Sequence, residues 1–195
     1  MIEIVFASQN EHKIFEMNEI ASPYGVKFIV PQAGFDPVEN GATFVENAII
    51  KAVEASRFGG GELFLSDDSG LCVDALGGEP GVKSARYAPT NDERIEKVLK
   101  NLERAGDGVS RGAQFVCSMA LCNADGKVLH TTEDICRGKI VFEPKGEGGF
   151  GYDPIFVPDG FNATLAEISQ DEKNAISHRG KALREMLLWM RQALK

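Results

Sequence analysis

Short apolar runs of strand length alternate with helix-like runs along most of the chain. The first run, residues 2–7, breaks at Ser8-Gln9-Asn10 before a helix predicted over residues 11–20. Further strands are predicted at residues 26–30, 63–66, 113–122, 127–142 and 155–157. Strands that are interleaved with helices predict an α/β fold built on one sheet, rather than two segregated domains.

Helix and turn signals locate several of these elements. Thr43 and Glu46 form a capping-box pattern, which predicts a helix that extends to about residue 58. A polar helix is predicted over residues 92–104, and the tetrapeptide at 123–126, NADG, is typical of a hairpin turn. Because a hairpin pairs its strands antiparallel, the sheet is expected to be mixed. A last helix is predicted to start near Ser177, with one apolar face formed by Leu183, Met186, Leu187, Met190 and Leu194.

The size and composition are those of an ordinary folded protein. The chain has 195 residues, of which 43% are hydrophobic and 26% are charged, and this fits one large domain or two small lobes. Folding at this length buries roughly 70% of the surface of the unfolded chain, so the core needs no disulfide or structural metal. We expect one domain over residues 1–195.

The cysteines indicate in which compartment the protein works, and the net charge limits the kinds of partner that it can bind. The four cysteines form no CxxC pair and lie among apolar residues, so we expect them to be buried and reduced in a cytoplasmic protein. The stretch MIEIVFAS has no basic segment before a long apolar run, and no stretch approaches ~20 apolar residues, so neither export nor a membrane is expected. A formal charge of -8 argues against a nucleic-acid polymer as partner. A small anionic ligand remains possible if a local cationic pocket or a divalent ion holds it.

Asp67 and Asp68 stand side by side at the end of the apolar run 63–65. Burying an ionised carboxylate is costly and two adjacent ones repel, so a metal ion, a lysine or water must compensate them. Alternation along a strand sends the two side chains to opposite faces, so one of them is expected to face a site. A carboxylate beside Ser69 and Gly70 is typical of Mg2+ sites, because Mg2+ takes one or two carboxylates and completes its shell with water and phosphate oxygens. A plain polar turn is the alternative.

Two lysines are candidates for binding phosphate. Ser8 lies in the loop before a predicted helix and Lys13 lies on the first turn of that helix, where backbone N–H groups attract anions. The glycines of a Walker loop are absent. Lys51 lies four residues after Asn47 on the next predicted helix, so the two side chains share a face and can meet one ligand. An ordinary capped first helix, and pairing of Lys51 with Asn47 or Glu54, are the alternatives.

The second half of the chain holds two further candidates. Glycines flank Phe150 and leave its ring little crowding, which suits stacking on a flat ligand with Asp153 as a hydrogen-bond acceptor. A core aromatic in a tight turn is the alternative. If Ser177 is the N-cap of the last helix, His178 and Arg179 lie in its first turn, where the helix dipole disfavours cations. Such a local conflict indicates a functional site.

Six motifs follow one another over nearly the whole chain. Each is weak by itself, but together they are very specific. They are Ser8-x-Asn10-x-x-Lys13, Thr43-Phe44-x-Glu46-Asn47-Ala48, Asp67-Asp68-Ser69-Gly70-Leu71, Leu76-Gly77-Gly78-x-Pro80-Gly81-Val82-x-Ser84-Ala85-Arg86, Gly149-Phe150-Gly151-Tyr152-Asp153-Pro154 and Ser177-His178-Arg179. With these motifs the sequence resembles the Ham1 family of non-canonical purine nucleoside triphosphate pyrophosphatases.

The resemblance implies an activity and a fold. The activity is Mg2+-dependent hydrolysis of ITP, dITP, XTP and dXTP to the monophosphate and pyrophosphate, which removes deaminated purines from the nucleotide pool. The fold is α/β, with a long curved mixed β-sheet and helical lobes flanking a central nucleotide-binding cleft, and the implied assembly is a homodimer. A Maf-like nucleotide pyrophosphatase with a different base preference and a non-catalytic nucleotide sensor are the alternatives.

The resemblance also assigns roles to residues that match the motifs. Asp68 would be the proton acceptor and a metal ligand, Glu39 a second metal ligand, and Ser69 part of the substrate site. The triphosphate would be bound by Ser8, Gln9, Asn10, Glu11, His12, Lys13 and Lys51. The base would be surrounded by Phe150, Gly151, Tyr152, Asp153, Lys173, His178 and Arg179. Lys173 and Arg179 are expected to donate to the 6-oxo group of hypoxanthine or xanthine, where adenine carries an amino group. No contacts are assigned to the segment 77–86.

Overall fold

Six strands form one mixed sheet in the computed structural model of the chain, which describes residues 1–31 and 34–194. They are β1 (Ile2–Phe6), β2 (Val26–Ile29), β3 (Leu63–Val73), β4 (Gly112–Asn123), β5 (Val128–Ile140) and β6 (Phe156–Pro158). The strand order is β2-β1-β3-β4-β5-β6. β1 pairs in parallel with β2 and β3, whereas β5 pairs antiparallel with β6. The prediction of an α/β fold with a mixed sheet is confirmed.

Five α-helices accompany the sheet within the described residues, and local caps explain where several of them begin. They are α1 (Glu11–Ala21), α2 (Phe44–Phe58), α3 (Asn91–Ala105), α4 (Gln170–Ile176) and α5 (His178–Ala193). The predicted capping box is present at α2, where the Thr43 side chain accepts from Glu46 N and the Glu46 side chain accepts from Thr43 N. The same pattern at Ser169 and Glu172 starts α4, a helix that was not predicted.

β3 is longer than predicted. It was expected to end at residue 66, but it continues through the acidic pair to Val73. A strand can continue there because protein cations and amides pair with both carboxylates, so the pair does not have to turn out to water. Two short 3₁₀ helices, Asp74–Leu76 and Gly81–Arg86, occupy part of the glycine-rich segment that follows.

The described chain divides into two compact units, each made of separate segments. Unit 1 comprises Met1–Asp68, Cys117–Asp134 and Arg179–Lys195, and unit 2 comprises Ser69–Val116 and Ile135–His178. The divisions therefore fall inside two of the motifs, between Asp68 and Ser69 and between His178 and Arg179. The expectation of one domain with two lobes around a cleft stays a prediction.

The core of unit 1 has an apolar layer on each face of its strands. Alternation along β3 sends Leu65 into one cluster with α1 and α5, and Phe64 into another with α2. Small residues on α2 let that helix approach closely, and those buried in the cluster are Ala48, Ala52 and Ala55. Four residues of the predicted apolar face lie on α5 and are buried, whereas Leu194 follows the end of the helix and is 44% exposed.

Unit 2 has its own apolar core. Leu71 and Val73 of β3 pack with three buried residues of α3, namely Ile95, Val98 and Leu102. The rings of Phe115 and Phe156 meet edge-on with centroids 4.8 Å apart. Within residues 1–31 and 34–194, no helix is both long enough and apolar enough to cross a bilayer.

Candidate active site

Asp67 is completely buried on the side of β3 that packs against α1 and α5. Its Oδ1 accepts a hydrogen bond from Lys13 Nζ at 2.9 Å, and its Oδ2 lies 3.4 Å from Arg179 Nε. Arg179 also donates from Nη1 to Glu16 Oε2 at 2.5 Å. Two cations and two anions thus form a buried network, in which protein groups compensate the charge of Asp67.

The pKa values in this network follow from burial and from the neighbouring charges. Burial acts to raise the pKa of Asp67, but Lys13, Arg179 and Lys51 outweigh it and hold that pKa well below its ordinary value. Burial lowers the pKa of Lys13, and Lys51 and Arg179 act in the same direction while Asp67 opposes them. Asp67 therefore stays ionised at neutral pH.

Asp68 points to the opposite side, towards α2, as strand alternation predicted. Asn47 Nδ2 donates to Asp68 Oδ2 at 3.0 Å, and Lys51 Nζ lies 3.7 Å from Asp68 Oδ1. The Oδ1 of Asn47 accepts from Gly41 N at 2.8 Å, so this amide is held at both ends. Burial raises the pKa of Asp68, and Lys51 and Asn47 oppose that shift only in part. A raised pKa makes Asp68 a better proton acceptor than an ordinary aspartate.

Lys51 lies between two carboxylates. Its Nζ is 3.0 Å from Glu39 Oε1, on the loop before α2, in addition to its approach to Asp68. Burial acts to lower the pKa of Lys51, but Asp67, Asp68 and Glu39 outweigh it and raise that pKa. The alternatives for Lys51, pairing with Glu54 or with Asn47, do not describe these contacts.

Asp68 and Glu39, the two predicted Mg2+ ligands, lie near each other through a shared partner. Both approach one ammonium group, and their side chains keep 10% and 26% exposure, whereas that of Asp67 is closed off. Among the residues that the structure describes, no group of three or more His, Cys, Asp and Glu side chains is arranged to hold a metal ion. Two carboxylates are nevertheless enough for Mg2+ when water and phosphate oxygens complete its shell.

The segment before α1 is organised by local hydrogen bonds. Ser8 Oγ accepts from Asn10 N at 3.2 Å, and Asn10 Oδ1 accepts from Lys13 N at 3.2 Å, which caps the helix. Gln9 Nε2 donates to Phe35 O at 2.6 Å and ties the segment to the loop before α2. These hydrogen bonds fix the start of α1, from which Lys13 reaches Asp67. Two other predicted phosphate-binding residues in the first turn of α1, Glu11 and His12, are exposed.

Three of the predicted base-binding residues meet within unit 2. Asp153 Oδ2 accepts from Phe150 N at 2.8 Å and from Lys173 Nζ at 2.7 Å. The Nζ of Lys173 also lies 4.7 Å from the centroid of the Phe150 ring. Gly149 adopts φ +67°, and a Cβ there would collide with the Asp153 carboxylate. The glycine is therefore required for the close approach that organises this loop.

The other predicted base-binding residues have different surroundings. His178 stacks on Phe115 in unit 2, with ring centroids 4.8 Å apart and an interplanar angle of 8°. Tyr152 is 5% exposed and donates from its hydroxyl to Ser84 O at 2.9 Å. Gly151 has φ +63° in the same loop. Ser69, which was predicted to line the substrate site rather than the base, lies on β3 as the first residue of unit 2.

Two residues of these clusters, Glu16 and Asn47, make contacts that were not predicted. Glu16 is 4% exposed and pairs with Arg179, although no role was predicted for it. An acid on the apolar face of α1, next to Met17, was an available signal, because such a group needs a buried cation. Asn47 was expected to meet a ligand together with Lys51, which stays a prediction, and the structure shows that both residues contact Asp68.

These contacts define a class of α/β protein in which one strand places two adjacent acids, one with a lowered and one with a raised pKa, beside lysines suited to an anionic ligand. A sequence model of the Ham1 family matches residues 4–189, which is almost the whole chain. The chain belongs to the Ham1 family.

Relatives of known sequence and structure agree with this membership. The chain is 48% identical over 193 residues to a dITP/XTP pyrophosphatase of Coxiella burnetii, with 95% of each chain covered. It is 43% identical over 194 residues to a dITP/XTP pyrophosphatase of Prochlorococcus marinus, with 99% of this chain and 96% of the relative covered. A solved HAM1 protein structure from Coxiella burnetii has a TM-score of 0.86 at 45% identity, and the match covers 99% of this chain and 100% of that one.

Proposed function

We propose that this protein hydrolyses ITP, dITP, XTP and dXTP to the monophosphate and pyrophosphate. The observation that carries the proposal is the environment of Asp68, a carboxylate with a raised pKa held by Asn47 and faced by Lys51. Near full-length identity of 43–48% to proteins named dITP/XTP pyrophosphatase supports the choice of substrate.

In the proposed reaction Asp68 orients a water molecule and accepts its proton while the water attacks phosphorus at the anhydride between the α and β phosphates. The bond from that phosphorus to the bridging oxygen breaks, which gives the monophosphate and pyrophosphate. Lys13 and Lys51 bind the phosphate oxygens, where charge accumulates in the transition state. Both lysines are held by carboxylates in the structure, Lys13 by Asp67 and Lys51 by Glu39, so they are positioned before a nucleotide arrives. Asn47 prevents Asp68 from rotating away, since it occupies one of the two carboxylate oxygens.

Mg2+ is part of the proposal, with Asp68 and Glu39 as its protein ligands. When bound, the ion would neutralise charge on the phosphate oxygens. The partial exposure of both carboxylates supports this assignment, because a ligand can reach them. Since both acids also contact Lys51 in the structure, a bound ion would share these carboxylates with that ammonium.

Base selection is proposed to involve Lys173 and Arg179 as donors to the 6-oxo group of hypoxanthine or xanthine. The Lys173 ammonium beside the Phe150 ring and the Asp153 carboxylate supports this role. Adenine would leave such donors unpaired, at a cost of about 1–3 kcal/mol each. Arg179 already donates to Glu16, so its part in recognition depends on other guanidinium N–H groups or on an exchange of partners.

The remaining parts of the proposal concern the cellular compartment and the oligomeric state of the enzyme. We place it in the cytoplasm, which the reduced state of its four cysteines supports. We also propose a homodimer, as the resemblance to the family implies, and light scattering on the purified protein tests it directly.

The activity is tested by pyrophosphate release from dITP, XTP, dATP and dGTP in the presence of Mg2+. We expect rapid release from dITP and XTP and at least about tenfold slower release from dATP. Equal rates on all four nucleotides would contradict the proposed specificity. No pyrophosphate release from any of them would contradict the activity itself.

A further inference from the structure

The motif at residues 76–86, to which no role was assigned, contains a serine that connects two other motifs within unit 2. Ser84 is 6% exposed. Its Oγ accepts from Leu71 N at 2.9 Å and donates to Gly81 O at 2.6 Å, and its carbonyl oxygen accepts from Tyr152 Oη at 2.9 Å. Ser84 therefore joins β3, shortly after the acidic pair, to the loop that carries Phe150.

Tyr152 contributes to this connection through its hydroxyl group. The side chain is 5% exposed and its ring belongs to the apolar core of unit 2. Burial raises the pKa of Tyr152, so the hydroxyl keeps its proton and remains a donor to Ser84 at neutral pH. The resemblance assigned Tyr152 to the substrate, but its hydroxyl already donates inside the protein.

The loop around Tyr152 needs such a connection because its own backbone is permissive. Gly149 and Gly151 both have positive φ, at +67° and +63°, and glycine loses more conformational freedom on ordering than any other residue. Asp153 fixes one end of the loop through Phe150 N and Lys173. The Tyr152 hydroxyl fixes the middle of the loop to Ser84, and thereby to β3.

We propose that Ser84 and Tyr152 are positioning residues for base recognition, which act by holding the Phe150–Asp153 loop in register with β3 rather than by touching the nucleotide. This inference rests on the proposed function, because it assumes that Phe150, Asp153 and Lys173 bind the base. It gives a role to the motif around Ser84 and a different role to Tyr152.

The direct test compares Tyr152→Phe with Tyr87→Phe. Tyr87 is 9% exposed in the same apolar core, and its hydroxyl donates to Glu79 and accepts from Asn101, with no bond to the loop. Both variants lose one buried hydroxyl, so both should lose similar thermal stability. For Tyr152→Phe we expect KM for dITP to rise about three- to tenfold with kcat within about twofold. The ratio of kcat/KM for dITP over dATP should fall by a similar factor.

Tyr87→Phe should leave both KM and that ratio unchanged. If Tyr152→Phe loses stability like Tyr87→Phe but keeps the wild-type KM and ratio, the inference is overturned. Ser84→Ala, which removes the bonds to Leu71 N and Gly81 O, should raise KM in the same direction. Combining Ser84→Ala with Tyr152→Phe should cost less than the sum of the single effects, and strict additivity would argue against a shared connection.

Amide hydrogen exchange of the nucleotide-free protein separates this inference from the proposed function. Exchange within the loop at residues 149–154 should be faster in Tyr152→Phe than in Tyr87→Phe, whatever the protein hydrolyses. Equal exchange in the two variants would overturn the inference. A wild-type protein that is inactive on dITP but shows the faster loop exchange in Tyr152→Phe would refute the proposed function and leave the structural connection standing.

Discussion

Replacing Asn47 by aspartate tests whether the amide controls the ionisation of Asp68. Asn47→Asp keeps the shape of the side chain and the oxygen that accepts from Gly41 N, but it removes the donor that lies 3.0 Å from Asp68 Oδ2. A hydrogen bond to a charged group contributes about 1.5–3 kcal/mol, which corresponds to about one to two pKa units. The new carboxylate also repels the ionised form of Asp68.

Both effects disfavour the ionised form, so the pKa of Asp68 should rise further above its ordinary value. A proton acceptor must be ionised to work, and the acidic limb of kcat should therefore move to higher pH by about one to two units. The assay is kcat for dITP at saturating nucleotide and Mg2+, measured from about pH 5 to about pH 9. Turnover lost at low pH should return as the pH is raised.

Asn18→Asp is the matched control. Asn18 donates from Nδ2 to Phe28 O and accepts from Phe28 N, so the same substitution removes a donor and keeps an acceptor. Because the donor that Asn18→Asp removes binds a neutral carbonyl rather than a carboxylate, the pH profile of this variant should be that of the wild type. If the profiles of Asn47→Asp, Asn18→Asp and the wild type superimpose, the reasoning about Asp68 is refuted.

Three further substitutions examine the acids one at a time. Asp68→Asn should abolish turnover of dITP while calorimetry still detects nucleotide binding, and near-normal turnover would remove Asp68 from its role. Glu39→Gln should raise the Mg2+ concentration needed for half-maximal activity by about tenfold, and an unchanged requirement would argue against Glu39 as a ligand. Asp67→Asn leaves Lys13 and Arg179 poorly compensated and should cost about 3–5 kcal/mol of unfolding free energy at neutral pH. Because the folded-state pKa of Asp67 lies below the unfolded value of about 3.9, its stabilisation is present above that pH and disappears as the pH falls towards the folded-state pKa. Denaturation at decreasing pH should therefore bring Asp67→Asn and the wild type together, and a constant difference would contradict this.

Local patterns predicted much of the fold. The capping box at Thr43 and Glu46 started α2 where expected, because its hydrogen bonds lie within four residues. The turn at residues 123–126 joins β4 and β5 as predicted, with Gly126 N donating to Asn123 O. Beyond such local signals the predictions were less complete, since β3 continued seven residues past its expected end and α4 was not predicted.

For the candidate site too, local features could be predicted from the sequence and long-range contacts could not. The order of the motifs and the alternation of Asp67 and Asp68 could be read from the chain, because strand geometry depends only on residue spacing. The partners of these acids could not be predicted, because Arg179 and Glu16 are 163 positions apart in the sequence and Lys13 and Asp67 are 54 positions apart. Pairing at such distances depends on which helices pack against which face of the sheet.

By itself, the sequence determined that the chain builds a mixed α/β fold and carries acidic, cationic and aromatic motifs suited to a nucleotide. The resemblance to the Ham1 family already named Asp68 as the proton acceptor, but only the tertiary structure decided which groups surround each acid. Asp67 contacts Lys13 and Arg179, which lower its pKa and keep it ionised, whereas Asp68 contacts Asn47 and its own pKa is raised by burial. The physical reason is that the ionisation of a buried carboxylate depends on the charges and donors within a few ångströms, and packing brings those together from distant parts of the chain.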